Sequence, residues 1–218
     1  MNQAFIYVVL TDTGTLFTRL IKAYTRAPYN HASLALDNQL EEMFSFGRLK
    51  PNNPLRAGLV KEDVYSGVYS HFPATRCLVL KMKVSQEQKT ELKHILYRYY
   101  AKREQYTYNL LGLLCIMMRI HYSSPNAYFC SEFVAGVLRE AGISLWELPN
   151  SQITPHHFSQ HPDLELVYEG MLCDYPYLDP DRKEGNLMLP QALATGSKGV
   201  FPGGLNMNAN KDNQHRSL

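Results

Sequence analysis

The 218 residues carry 22 Lys and Arg against 20 Asp and Glu, a formal net charge of +2, with 45% hydrophobic and 19% charged residues. That length supplies one sizeable hydrophobic core. The near balance of charge argues against a nucleic-acid partner or an anionic membrane surface held by a basic patch. The longest apolar run, "LLGLLCIMM" (110–118), is ended by Arg119 and falls well short of the about 20 residues that cross a bilayer, so no integral membrane segment is expected. "MNQAFIYVVLTDTG" has neither the basic region nor the cleavage site of an export signal, which makes a cytoplasmic location the default. Cys77, Cys115, Cys130 and Cys173 form no CxxC pair, so neither a zinc ribbon nor a disulfide framework is expected.

In chain order, "FIYVVL" (5–10) reads as a buried strand, and "LFTRLIKAYTR" has helical spacing at Leu16, Leu20, Ile21 and Tyr24 until Pro28 stops it. "HASLALD" (31–37) and "LEEMFSFG" (40–47) read as strands joined by a tight turn at Asn38 and Gln39. "LKPNNPLRAG" reads as a loop because Pro and Asn crowd it. "TRCLVLKMKV" is a strand, and Ser85 with Gln88 forms a capping box for a helix to about Arg103 whose apolar face is Leu92, Ile95, Leu96 and Tyr99. "TYNLLGLLCIMMRI" reads as a buried helix. A third helix starts near Cys130 and stops at Gly142, a short helical turn opens at Pro155, and "LELVYEGML" (164–172) is a last strand. This organises the chain as one domain over 1–177. A loosely ordered tail follows over 178–218, rich in Gly, Asn, Pro and charge.

Cys130 is where chemistry concentrates. A thiol in the first turn of a helix feels the positive end of the helix dipole, which favours thiolate, and the free N–H groups there suit an oxyanion. Phe133, Val134, Val137, Leu138 and Ala141 give that helix its core stripe. The candidate base is His31, at the opening of a strand whose alternation puts His31, Ser33 and Ala35 on one face. A two-residue turn would pair Ala35 with Glu42 and set Glu42 diagonally within reach of His31. A three-residue turn would put Met43 on that face instead, and a bulge would be needed to bring Ser45 there. Glu42 is therefore the expected third member, with Ser45 as the alternative.

The pieces "TDTGTLFTRLIKAYT", "YNHASLALD", "EEMFSFGR" and "YFCSEFVAGVL", in that order, resemble the circularly permuted papain-like hydrolases. These are relatives of NlpC-type peptidases that include the bacterial YiiX-like branch and the lecithin retinol acyltransferases. The resemblance covers about the first 175 residues. It implies an α+β fold in which an antiparallel sheet packs against the helix carrying the nucleophilic cysteine, with Cys130 and His31 as a nucleophile–base pair. Relatives often carry a His or Glu about twelve residues after the first His, where this chain has Met43.

The expected activity is cysteine-dependent hydrolysis of an amide, ester or thioester bond through an acyl-enzyme. The substrate class is a small peptide, amide or acyl lipid, and no cofactor or metal is required. The rivals are a non-catalytic papain-like scaffold that binds peptide or lipid, a lipid acyltransferase, and metal binding through His156, His157 and His161. In that last cluster His157 and His161 have the i, i+4 spacing of a chelate.

Overall fold

The computed structural model describes residues 3–14, 27–51, 53–108 and 127–182. The expected helix after residue 15, the apolar run at 110–118 with Cys115, and the tail from 183 onward lie outside the described residues. Apolar side chains alternate along β1 (Gln3–Asp12), with Ile6, Val8 and Leu10 on one face and Val9 on the other, all fully buried. β1 is therefore a central strand covered on both sides. β2 (His31–Ala35) and β5 (Arg76–Ser85) flank it antiparallel, through Val9↔Ser33 and Val9↔Val79. β3 (Met43–Lys50), β4 (Asn53–Glu62) and β8 (Glu165–Met171) complete a six-stranded antiparallel sheet of order β4-β3-β2-β1-β5-β8. A short parallel pair, β6 (Thr107–Tyr108) and β7 (Ala127–Tyr128), leads up to Cys130. The class is α+β.

The first face, with Ile6, Val8, Leu34, Phe44 and Phe46, packs against α2 (Gln86–Ala101) and α3 (Cys130–Glu140) through Leu92, Ile95, Leu96, Phe133, Val134 and Val137. The Ser85 hydroxyl accepts the Gln88 N–H at 3.1 Å and the Gln88 side chain accepts the Ser85 N–H at 3.0 Å. This is the reciprocal cap expected from the sequence. The second face, with Val9, Ala35, Met43 and Val79, is covered by Val64, Tyr65, Tyr69, Leu172, Tyr175 and Leu178, and Tyr69 belongs to the short helix α1 (Gly67–His71). The chain stays docked past residue 177. The Asp179 N–H donates to the Tyr65 hydroxyl at 2.6 Å, and Arg182 pairs with Asp63 at 3.1 Å. α4 (Pro155–Gln160) begins at the expected proline. No helix among the described residues is long and apolar enough to cross a membrane.

Two expectations are corrected here. The segment read as a loop, 49–58, holds the end of β3 and the first part of β4, and β4 pairs with β3 through Met43↔Glu62, Ser45↔Val60 and Gly47↔Gly58. Its proline, Pro54, is tolerated because β4 is a sheet edge. The β2–β3 turn has three residues rather than two, since Ala35 pairs with Met43 and Leu34 with Phe44. The Leu40 N–H donates to the Asp37 carbonyl at 3.4 Å, and Leu40 itself is left-handed with φ 62, the geometry of a turn closed by a residue at positive φ. The Asp37 carboxylate accepts the Glu41 and Glu42 N–H groups at 2.9 and 2.7 Å. Leucine holds a position suited to Gly or Asn because its side chain is 2% exposed within the second core.

Replacing Leu40 with Gly would relieve left-handed strain of about 1–2 kcal/mol and forfeit burial and packing of about 2–5 kcal/mol. The expected outcome is a net loss of stability of about 1–3 kcal/mol, read as a lower urea midpoint with an unchanged slope. A more stable Leu40→Gly would mean that strain outweighs burial at this turn.

Candidate active site

Cys130 begins α3. Phe129 is the residue before the helix, and its N–H is accepted by the Glu132 carboxylate at 3.2 Å. This is the backbone half of a capping box, since phenylalanine has no side-chain acceptor to supply the other half. The apolar stripe of Phe133, Val134 and Val137 seats α3 on the first face of the sheet, which delivers its amino end to the start of β2. The β2–β3 ladder is formed at Leu34↔Phe44 and Ala35↔Met43. On the His31 side of those pairs the Ala32 N–H, with the Ser131 N–H of the helix's first turn, favours the charged form of the Cys130 sulfur.

His31 meets the same sulfur. The two side chains act on each other's protonation, although 99 positions separate them in the chain. The imidazole Nε2 is bound to Glu62 Oε1 at 2.8 Å, so Nδ1 is the nitrogen left for the thiol. Glu62 ends β4, and its carboxylate is fully engaged. Oε1 takes His31 and the Ser45 hydroxyl; Oε2 accepts the Ser33 hydroxyl at 2.7 Å and the Tyr69 hydroxyl at 2.7 Å. The Glu62 side chain is 10% exposed and that of His31 21%; Cys130 as a whole is 6% exposed.

The electrostatics follow from these contacts. Burial pushes the Glu62 carboxyl up, but the charge and hydrogen bond of His31, with the Ser45 and Tyr69 hydroxyls, outweigh it and hold the group down at about 2. Burial likewise favours neutral imidazole, yet Glu62 and the hydrogen bonds to Cys130 and Glu62 raise His31 to about 10. Burial alone would raise the Cys130 thiol. The hydrogen bond to His31, its charge, and the Ala32 and Ser131 N–H groups reverse that and lower it below the ordinary thiol value of 9.0. Both shifts run in the direction that favours a thiolate–imidazolium pair.

Of the residues singled out from sequence, Cys130 and His31 are brought together and Glu42 is not. With the three-residue turn, Glu42 lies off the His31 face, where it accepts hydrogen bonds from Lys93 at 2.9 Å and Tyr97 at 2.6 Å. Glu62 stands in the expected place of Glu42. Ser45 shares the His31 face without any bulge between β2 and β3, because residues two apart on β3 point the same way; it reaches His31 only through Glu62. Glu62 was missed because β4 was. The available signal was the apolar pair Leu59–Val60 just before a second acidic pair, Glu62–Asp63.

The histidine cluster does not form a chelate. His157 Nδ1 caps α4, accepting the Thr154 N–H at 3.1 Å. Both nitrogens of His161 are used, Nε2 on the Leu145 carbonyl at 2.9 Å and Nδ1 on the Asp163 N–H at 3.2 Å. Among the described residues no group of three or more His, Cys, Asp or Glu is placed to hold a metal ion.

No protein-family model matches the chain, and no curated protein matches it. Among solved structures it is similar to that of the metalloprotein YiiX from Escherichia coli O157:H7. The identity is 16%, over 76% of this chain and 97% of that one, with a TM-score of 0.47.

Glu62→Gln is expected to drop the His31 midpoint by several pH units and raise that of the Cys130 thiol, whereas Glu42→Gln leaves both in place; thiolate absorbance and imidazole NMR titrations read the difference. The depressed Glu62 pKa contributes stability that is present above about 4.5 and lost as pH falls towards about 2. The raised His31 pKa contributes stability that is present below about 6.5 and lost as pH rises through about 10. Urea midpoints measured against pH should therefore fall at both ends for wild type, and the acid-side fall should shrink in Glu62→Gln.

Proposed function

We propose that the chain is a cysteine-dependent hydrolase of amide, ester or thioester bonds, built on a permuted papain-like fold, with Cys130 as nucleophile, His31 as base and Glu62 as the group that orients the imidazole. The observation that carries this reading is that Cys130 and His31 act on each other's protonation while His31 is hydrogen-bonded to Glu62. It unites a nucleophile, a base and an orienting carboxylate from three separate elements. The chain order supports the permuted fold, since the strands bearing the base and the carboxylate precede the helix bearing the thiol.

In this reading His31 Nδ1 takes the thiol proton while Nε2–H stays on Glu62. The thiolate adds to the substrate carbonyl carbon, and the carbonyl π-electrons move to oxygen. The oxyanion forms beside the amino end of α3, where the Cys130 N–H is available to it. The tetrahedral adduct collapses with loss of an amine, alcohol or thiol, which takes its proton from Nδ1. Water then attacks the thioester, giving a proton back to His31, and the acid leaves as the sulfur is restored. Glu62 keeps its charge throughout and stabilises the imidazolium that forms twice in each cycle.

The 6% exposure of Cys130 is the one observation that favours the other reading, a scaffold that binds peptide or lipid without turning it over. Labelling with acyl electrophiles such as activated esters separates the two. Wild type is expected to label at Cys130 with a pH inflection below that of an ordinary thiol. Cys130→Ala should lose labelling altogether, and His31→Ala should slow it by about 10³-fold or more. A wild-type thiol that reacts no faster than free cysteine at neutral pH would leave the scaffold.

A further inference from the structure

Glu62 belongs to β4 and His31 to β2, and β3 lies between them. Two strand spacings amount to about 9.5 Å, so the carboxylate must pass over β3 to reach the imidazole. The residues of β3 on that face are Met43, Ser45 and Gly47, in register with Glu62, Val60 and Gly58 of β4. A flat strand keeps side chains two residues apart separated by about 7 Å. Here a Cβ on Gly47 would lie only 3.1 Å from the Ser45 hydroxyl oxygen and 3.2 Å from Glu62 Oε1. The strand curls towards this face, and the hollow of the curl is where the carboxylate rests.

Glycine at 47 is not required by the backbone. The positive-φ glycines are Gly14, Gly67 and Gly142, so Gly47 has a conformation that any residue adopts, in a strand that glycine weakens. What a side chain would take away is space for a carboxylate fixed by four donors. We propose that Gly47 is a positioning residue: its missing side chain opens the passage across β3 through which Glu62 reaches His31. This rests on the reading of Cys130, His31 and Glu62 as the working group, and it assigns a role to a residue that touches neither substrate nor sulfur. Ser45 is the other wall of the passage, small enough to leave it open and polar enough to hold Oε1.

The test is Gly47→Ala, with Gly47→Val as the larger step and Gly58→Ala as the control. Gly58 sits opposite Gly47 on β4, but a Cβ there meets its nearest atoms at an ordinary 3.6 Å. Three quantities are read on the full chain: the His31 midpoint by NMR, the rate of Cys130 labelling at neutral pH, and the melting temperature. In Gly47→Ala the His31 midpoint is expected to fall by about one pH unit or more, a tenfold change in proton affinity. Labelling should slow about tenfold, with little change in melting temperature. Gly47→Val should go further and Gly58→Ala should match wild type.

A Gly47→Ala protein whose His31 midpoint and labelling rate stay within about twofold of wild type in proton affinity and rate overturns the proposal. If the variant is too unstable to titrate, adding Glu62→Ala decides. Recovered stability supports crowding of the carboxylate, and an undiminished defect overturns it. A wild type with a raised His31 midpoint but an ordinary thiol would remove the hydrolase reading alone, and the His31 titrations would still judge the passage.

Discussion

A carboxylate buried between two layers of protein is the constraint on which the rest of this structure turns. Taking Glu62 out of water costs several kcal/mol unless it is paired and hydrogen-bonded. The fold supplies both, with an imidazolium on one oxygen and three hydroxyls shared between the two. The four donors come from three elements: His31 and Ser33 from β2, Ser45 from β3, Tyr69 from α1. The sheet order, the curl of β3 and the docking of α1 have to be right together for that carboxylate to be satisfied. A register slip of one residue between β3 and β4 would turn Glu62 to the opposite face and leave the hydroxyls facing one another.

The same arrangement explains how a nearly buried cysteine becomes a better acid. A sulfur in an apolar core holds its proton, and Cys77 shows it. Cys77 is buried on β5, and burial, aided by the charges of Cys173 and Glu169, pushes it up to about 12. Cys130 is almost as buried and moves the other way. The difference lies in the neighbours: an imidazole kept positive by Glu62, and two N–H groups at a helix start and a free strand edge. Helix position alone would not reverse the effect of burial, since a helix end supplies only a fraction of a charge.

How much of this was legible in the sequence follows from the range of each signal. The central strands, the Ser85–Gln88 cap and the start of α3 at Cys130 are written in local patterns, and the structure has them where those patterns fall. Residue type and placement marked Cys130 and His31 as candidates, and the resemblance joined them, because nothing local links residues so far apart. The carboxylate beside His31 was misread for two physical reasons. Tertiary burial of Leu40 put leucine where turn chemistry calls for glycine, so the turn length was counted one residue short and the parity reversed. Pro51 and Pro54 punctuate a hairpin between β3 and an edge strand, where proline breaks no ladder that matters, so the start of the strand that ends at Glu62 passed for a loop.

The second face of the sheet then has a purpose beyond adding core. Residues 172–182 lie over it, with Tyr175 and Leu178 buried against Val9, Ala35, Met43 and Val79. They are tied to the segment after β4 by the Asp179–Tyr65 hydrogen bond and the Arg182–Asp63 pair. That segment begins beside Glu62 and ends at Tyr69. The end of the described chain thus holds in place the stretch that carries both the carboxylate and one of its donors. It also adds apolar side chains to the cluster that contains Tyr69. Low local polarity strengthens every hydrogen bond on Glu62 and the attraction between Glu62 and His31. The environment of a sulfur on one side of the sheet is therefore linked to packing on the other side through a single carboxylate.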